Sequence, residues 1–156
     1  HARLSRTKTN IGELMSDLVR DYFSRDKERI KLAQPREPVL AMVDAARITL
    51  LLKNLVSNAL RYSKPDDGPV QLELVSTGKE LVMTVRDHGP GLSEQQAGHL
   101  GEPFYRSDPS RDRESGGTGL GLYLATLVAR AHGGALQLQN AGDQGASFEV
   151  RIPLMS

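Results

Sequence analysis

Ala45-Ala46-Arg47-Ile48-Thr49-Leu50-Leu51-Leu52-Lys53-Asn54-Leu55-Val56-Ser57-Asn58-Ala59-Leu60-Arg61-Tyr62 is the longest helical pattern in the chain. Leu51, Leu52, Leu55, Val56, Ala59 and Leu60 recur at helical spacing and form one broad apolar face. Asp44 stands where the N-cap belongs. Beside the apolar face, Asn54 and Asn58 are four residues apart and Arg61 lies a turn further on, so the three share one stripe. Asn is unfavourable inside helices. A single solvent-facing Asn is common, but two in register along the border of a buried face mark a candidate cleft wall. Their side-chain carbonyl oxygens suit an Mg2+ ion already partly neutralised by phosphates.

Outward from this helix the chain alternates helical and strand patterns. On the N-terminal side, Ile11, Leu14, Met15, Leu18, Val19 and Tyr22 predict an amphipathic helix over 11–23 with Asn10 as its cap. Residues 24–29 are almost all charged and predict a solvated corner. Ile30 to Ala33 and Val39 to Val43, divided by Pro35 and Pro38, read as a strand pair. On the C-terminal side, Val70 to Val75 and Leu81 to Val85 alternate around Gly78, as a hairpin does. Leu120 to Ala131 is a third helix, stopped by Gly133-Gly134, and Ala135 to Gln139 with Ser147 to Ile152 reads as a closing hairpin. Each strand has one apolar face, so the predicted fold is an α/β two-layer sandwich. A mixed, mostly antiparallel sheet is covered on one face by three helices.

Composition narrows the function without naming it. The 156 residues, 38% of them hydrophobic, suffice for one domain with a real core. Twenty basic residues against 19 acidic ones leave a net charge of +1, which favours neither nucleic acid nor acidic lipid as a partner. The absence of cysteine excludes disulfides, thiolate metal sites and a Cys nucleophile. The longest apolar runs, Ile48 to Leu52 and Leu124 to Ala129, fall far short of the roughly 20 residues that span a bilayer. The chain opens on His1 with no apolar leader and reads as a piece of a longer protein.

Twelve of the 15 glycines lie between Gly89 and Gly145, and they place the motifs in the second half. Asp87-His88-Gly89-Pro90-Gly91 follows a predicted strand. A carboxylate there accepts hydrogen bonds only, so it welcomes the exocyclic amine of adenine and repels the carbonyl of guanine. Gly116-Gly117-Thr118-Gly119-Leu120-Gly121-Leu122 immediately precedes a helix, whose free amides and dipole make a phosphate cradle. Rossmann and P-loop glycines follow a hydrophobic strand, but Arg113-Glu114-Ser115 precedes these and no G-K-[ST] is present, which excludes both folds. Between the motifs, residues 87–117 are rich in Gly, Pro, Ser and charge, with a short helical candidate near Ser93 to His99. A connection so long is usually functional.

Taken in order, N-x-x-x-N on a helix, D-x-G-x-G, Glu102-Pro103-Phe104-Tyr105-Arg106 and G-x-G-x-G resemble the N, G1, F and G2 nucleotide-binding boxes of sensor histidine kinases. His132-Gly133-Gly134 and Gly145-Ala146-Ser147-Phe148 also look like that family's catalytic domain. The resemblance implies a Bergerat-type ATP-binding fold over 9–156, with a lid over about 92–116 and a dimerisation-helix tail or linker over 1–8. It implies that Asn58 holds Mg2+ and that Asn54 and Arg61 face the phosphates. Tyr62 would flank adenine, Asp87 would accept its amine, and Gly89 and Gly91 would leave room for the ring. Phe104 would anchor the lid and Arg106 would approach the terminal phosphate. Gly117, Thr118, Gly119, Leu120 and Gly121 would hold the phosphates, with Asn54, Arg61 and Arg106 the catalytic group.

The implied cofactors are ATP and Mg2+. The implied reaction transfers the γ-phosphoryl group to a histidine on a separate dimerisation domain, for relay to a response regulator. The parent would be a homodimer in the bacterial inner membrane, with this domain on the cytoplasmic side and touching neither lipid nor nucleic acid. None of His1, His88, His99 and His132 precedes an acid, so the phosphoacceptor is expected elsewhere. ATPases of the gyrase and Hsp90 type carry a Glu base four residues before the metal-binding Asn; Asn54 stands there instead, and an amide is no base. A histidine acceptor, which brings its own lone pair, is thereby favoured over water or serine. The alternatives are a noncatalytic nucleotide-binding module and an ATPase clamp.

Overall fold

The computed structural model describes residues 3–89, 121–139 and 145–154. The described strands are β1 (Thr7–Asn10), β2 (Ile30–Ala33), β3 (Leu40–Val43), β4 (Val70–Ser76), β5 (Glu80–Arg86), β6 (Ala135–Gln139) and β7 (Ser147–Pro153). The described helices are α1 (Ile11–Tyr22), α2 (Ala45–Tyr62) and α3 (Gly121–Ala131). The main sheet runs β2-β4-β5-β7-β6, with β2 and β4 parallel and the other neighbours antiparallel. The two-layer sandwich expected from the sequence is therefore the observed architecture.

Register explains why one face of the sheet is apolar. Leu72 lies opposite Val85 and Leu74 opposite Met83. Val85 in turn lies opposite Phe148, Met83 opposite Val150 and Leu81 opposite Ile152. All are buried, because alternate residues of neighbouring strands point to the same side. Ile48, Leu51, Leu52, Leu55 and Val56 of α2 are 0% exposed and belong to the same core. The starts of α1 and α2 are capped as expected: Asn10 Oδ1 accepts from Glu13 N at 3.1 Å, and Asp44 Oδ1 from Arg47 N at 3.2 Å. No described helix is long and apolar enough to cross a membrane.

One expectation is corrected. Residues 30–33 and 39–43 do not pair with each other. β2 joins β4, whereas β3 joins β1 in a separate two-stranded sheet. Pro35 and Pro38 explain the outcome, since each lacks a donor and holds the residue before it extended, which prevents a tight reversal. Thr7 and Lys8, at the end of the 1–8 segment, join Thr9 and Asn10 in β1. Thr-Lys-Thr-Asn carries no apolar alternation, so that strand exists only because β3 offers it an edge.

Leu55 reaches the centre of this core. Leu55→Ala is expected to lower unfolding free energy by about 2–5 kcal/mol. Urea titration should show an earlier midpoint with an unchanged slope.

Candidate active site

The polar stripe of α2 faces the first turn of α3. A Cβ added to Gly121 would stand 3.2 Å from Asn54 Oδ1, so the Asn54 side chain packs close to the bare backbone of Gly121. Asn54 Nδ2 is buried and has no hydrogen-bond partner among the described residues. A buried unmatched N–H costs free energy, and an anionic oxygen would satisfy it. One turn on, Asn58 Oδ1 accepts from Arg61 Nη1 at 3.4 Å. That contact is long and leaves the carbonyl a second lone pair. No cluster of three His, Cys, Asp or Glu side chains capable of holding a metal occurs among the described residues. Amide oxygens are nevertheless enough for Mg2+ that arrives on a nucleotide's phosphates, so the stripe fits that ion.

Asp87 follows β5 and is 4% exposed. Its Oδ1 accepts from Gly89 N at 3.0 Å and from Ala146 N at 3.2 Å, while its own N–H donates to Ala146 O at 2.9 Å. Both side-chain bonds fall on one oxygen, which fixes the carboxylate and leaves Oδ2 for an external donor. Burial pushes the Asp87 carboxyl above the usual range, and the Ala146 and Gly89 N–H groups oppose that shift.

Two glycines make the arrangement possible. Gly145 has φ +92°, and a side chain there would strike the Asp87 carbonyl oxygen. A Cβ on Gly89 would strike the Tyr62 carbonyl oxygen, which puts the end of β5 hard against the end of α2. Tyr62, Asn58 and Asp87 thus come from elements that converge on one place. Arg29 ties the corner down by donating from Nη2 to Ser63 O at 3.0 Å.

The structure therefore gathers Asn54, Asn58, Arg61, Tyr62, Asp87, Gly89 and Gly121. Gly91, Phe104, Arg106, Gly117, Thr118, Gly119 and Leu120, with the lid assigned to 92–116 and the helical candidate at 93–99, lie outside the described residues. Sequence reasoning gave no role to the Gly145-Ala146 backbone that orients Asp87. The signals were a glycine before a strand, which a hairpin turn explains equally well, and a family-like Gly145-Ala146-Ser147-Phe148 stretch that carried no residue role. His132, set aside as a phosphoacceptor and otherwise noted in a family-like His-Gly-Gly stretch, is buried between α3 and the start of α2.

A family model described as histidine kinase-, DNA gyrase B- and HSP90-like ATPase matches residues 43–156. The chain is 40% identical over 121 residues to the sensor histidine kinase MtrB of Mycobacterium bovis, covering 78% of this chain and 21% of that protein. It is 32% identical over 149 residues to the sensor histidine kinase RppB of a Synechocystis strain, covering 94% of this chain and 33% of that protein. Against full-length ShkA, solved in complex with AMPPNP, the TM-score is 0.81 at 26% identity, over 99% of this chain and 32% of that one. The mycobacterial sensor histidine kinase MprB shares the fold, with a TM-score of 0.78 at 24% identity over 96% of this chain and 97% of that one. The chain belongs to the histidine kinase-, DNA gyrase B- and HSP90-like ATPase family. Within it, the chain is an ATP-binding catalytic domain of the sensor histidine kinase kind, spanning about a fifth to a third of the curated relatives it matches.

Asp87→Asn retains an oxygen for Gly89 and Ala146 but carries no charge into the interior. A carboxyl whose folded pKa is raised contributes stability that is fully present below its unfolded value, about 3.9, and lost as pH rises through the folded value. The variant should melt at or above the wild-type temperature at pH 7.5, with the gap narrowing as pH falls through the raised carboxyl range. Thermal melts between pH 3.5 and 8 test this, and a variant clearly less stable at pH 7.5 would count against a charge buried at a cost.

Proposed function

We propose that this domain binds Mg-ATP and transfers its γ-phosphoryl group to a histidine on a separate dimerisation domain of the same parent protein, for relay to a response regulator. The observation that carries the reading is Asn54, a buried N–H donor on α2 that faces the start of α3 with no partner among the described residues, standing where a hydrolytic relative would need a base. Its amide donates to a phosphate oxygen and abstracts no proton. The α3 N-terminus adds the positive end of its dipole on the same side.

Asp87 selects adenine: its fixed carboxylate accepts from the exocyclic amine and rejects a carbonyl in that position. Tyr62 flanks the base, and Gly89 keeps the floor flat. Asn58 would hold the metal through its carbonyl oxygen, with Arg61 beside it on the phosphate side; bound Mg2+ would neutralise phosphate charge during transfer. Gly91, Phe104, Arg106, Gly117, Thr118, Gly119 and Leu120 complete the site by resemblance. The solved ShkA neighbour holds AMPPNP, which supports an adenine nucleotide as ligand.

Phosphoryl transfer demands position and charge compensation more than covalent chemistry from the protein. An imidazole acceptor has a free lone pair and needs no base from this domain. On this reading the parent is a homodimer anchored in the bacterial inner membrane, with this domain on the cytoplasmic side; the relatives it matches are named sensor histidine kinases. A net charge of +1 gives the domain no pull toward nucleic acid or lipid.

Asp87→Asn is expected to weaken Mg-ADP binding at least about tenfold, the loss of a charge-assisted hydrogen bond; isothermal titration measures it. Joined to its dimerisation domain and given γ-labelled ATP, the wild-type protein should accumulate acid-labile, base-stable phosphohistidine. Binding without label would leave a noncatalytic nucleotide module. Rapid phosphate release with no histidine partner would point to an ATPase clamp.

A further inference from the structure

His132, at the far end of α3 from the nucleotide site, is 2% exposed and uses both ring nitrogens. Nε2 lies 3.1 Å from Asp44 N, and Nδ1 lies 2.8 Å from Val128 O. The Asp44 N–H can only donate, so Nε2 must present its lone pair, and Nδ1 must then carry the proton given to the Val128 carbonyl. The neutral Nδ1–H tautomer alone satisfies both contacts. An imidazolium would set one N–H against another.

Asp44 is itself a junction. It caps α2 through Arg47 N, accepts from Ser5 N at Oδ2 at 3.0 Å, and its carbonyl takes the Ile48 N–H at 2.9 Å. One imidazole therefore joins the end of α3 to the start of α2, and through Asp44 to the segment before β1.

The two helices run antiparallel, with His132 beside Asp44 at one end and Gly121 beside Asn54 at the other. From each pinned end to the site is about 15 Å, at 1.5 Å rise per residue. Helices are stiff along their axes, so holding one end sets the axial position of the other. Even a single added Cβ at Gly121 would come within 3.2 Å of Asn54 Oδ1, so the two helices are closely packed at that end.

We propose that His132 is a positioning residue for nucleotide binding: its neutral imidazole holds α3 in register on α2, and so places the N-terminal end of α3 against Asn54 and the phosphates. The inference rests on the nucleotide reading above, and it concerns the phosphate half of the site, not the adenine half that Asp87 holds. The charged groups facing the ring among the described residues are Arg6 from the N-terminal segment, Asp44 before α2 and Arg47 in its first turn. α3 and β6 add none. Burial, with Arg6 and Arg47, opposes the imidazolium, while the Val128 carbonyl and Asp44 favour it, and the net shift is downward. The lock is thus closed above the ordinary histidine range and opens as pH falls through the lowered value.

The test compares Mg-AMPPNP with adenosine, which lacks phosphates, by titration calorimetry from pH 5 to 8 on the wild type, His132→Phe and His132→Gln. His132→Phe should weaken AMPPNP about tenfold, on the scale of one lost hydrogen bond, and adenosine by less than twofold. His132→Gln, whose amide oxygen can take the Asp44 N–H, should recover part of the loss. The wild-type ratio of AMPPNP to adenosine affinity should fall at low pH more than the ratio for His132→Gln, a difference that cancels protonation of the ligand. Equal losses for both ligands in His132→Phe, or matching pH profiles for wild type and His132→Gln, would overturn the proposal. Should His132→Phe fail to fold, the pH comparison decides alone. A wild-type chain that binds neither ligand overturns the nucleotide reading and this inference with it.

Discussion

The rest of the structure depends on α2 being buried on one side and polar on the adjoining one. Its apolar face is held against the sheet by Ile48, Leu51, Leu52, Leu55 and Val56, all withdrawn from water. At about 1.5–3 kcal/mol for each large side chain buried, that attachment far exceeds what helix propensity alone supplies. The helix can then carry two asparagines, poor helix formers, along its border. Asn54 and Asn58 are tolerated there because their neighbours have already fixed the helix.

The same division of labour holds at the end of β5. Asp87 is a carboxylate nearly out of solvent, an unfavourable place for a charge. Two backbone N–H groups, from Gly89 and from Ala146 across the sheet, make it tolerable and orient it. The antiparallel pairing of β5 with β7 delivers Ala146 to that point, while Gly145 bends the chain out of the way. A residual cost, visible in the raised carboxyl pKa, is what an incoming amine donor would relieve.

Much of the fold was legible from periodicity. The bounds of α2 and both hairpins followed from local patterns of apolar residues, caps and turns, because those elements satisfy their own hydrogen bonds or pair with the next segment in sequence. The partners of β2 and β3 were not legible: residues that alternate correctly announce a strand but not its neighbour. β1 had no local signal, being polar throughout, and arises from an edge that β3 exposes. On the site, the Asn54–Asn58–Arg61 stripe and the Asp87 motif could be read as candidates from spacing and chemistry, and resemblance assigned their roles. The roles of Gly145, Ala146 and His132 could not, since each acts through contacts between segments distant in the chain.

By itself, then, the sequence determined which segments are helical or extended, which faces are apolar, and which side-chain chemistry is available: amide in place of carboxylate at Asn54, an acceptor at Asp87, glycines before α3. Tertiary structure alone decided that Asn54 meets Gly121, that Ala146 clamps Asp87 and that His132 reaches Asp44. The reason is one of range. Helix and turn preferences arise between residues a few positions apart, whereas a buried polar atom finds its partner wherever the packed core brings one, and no periodicity in the chain records that distance.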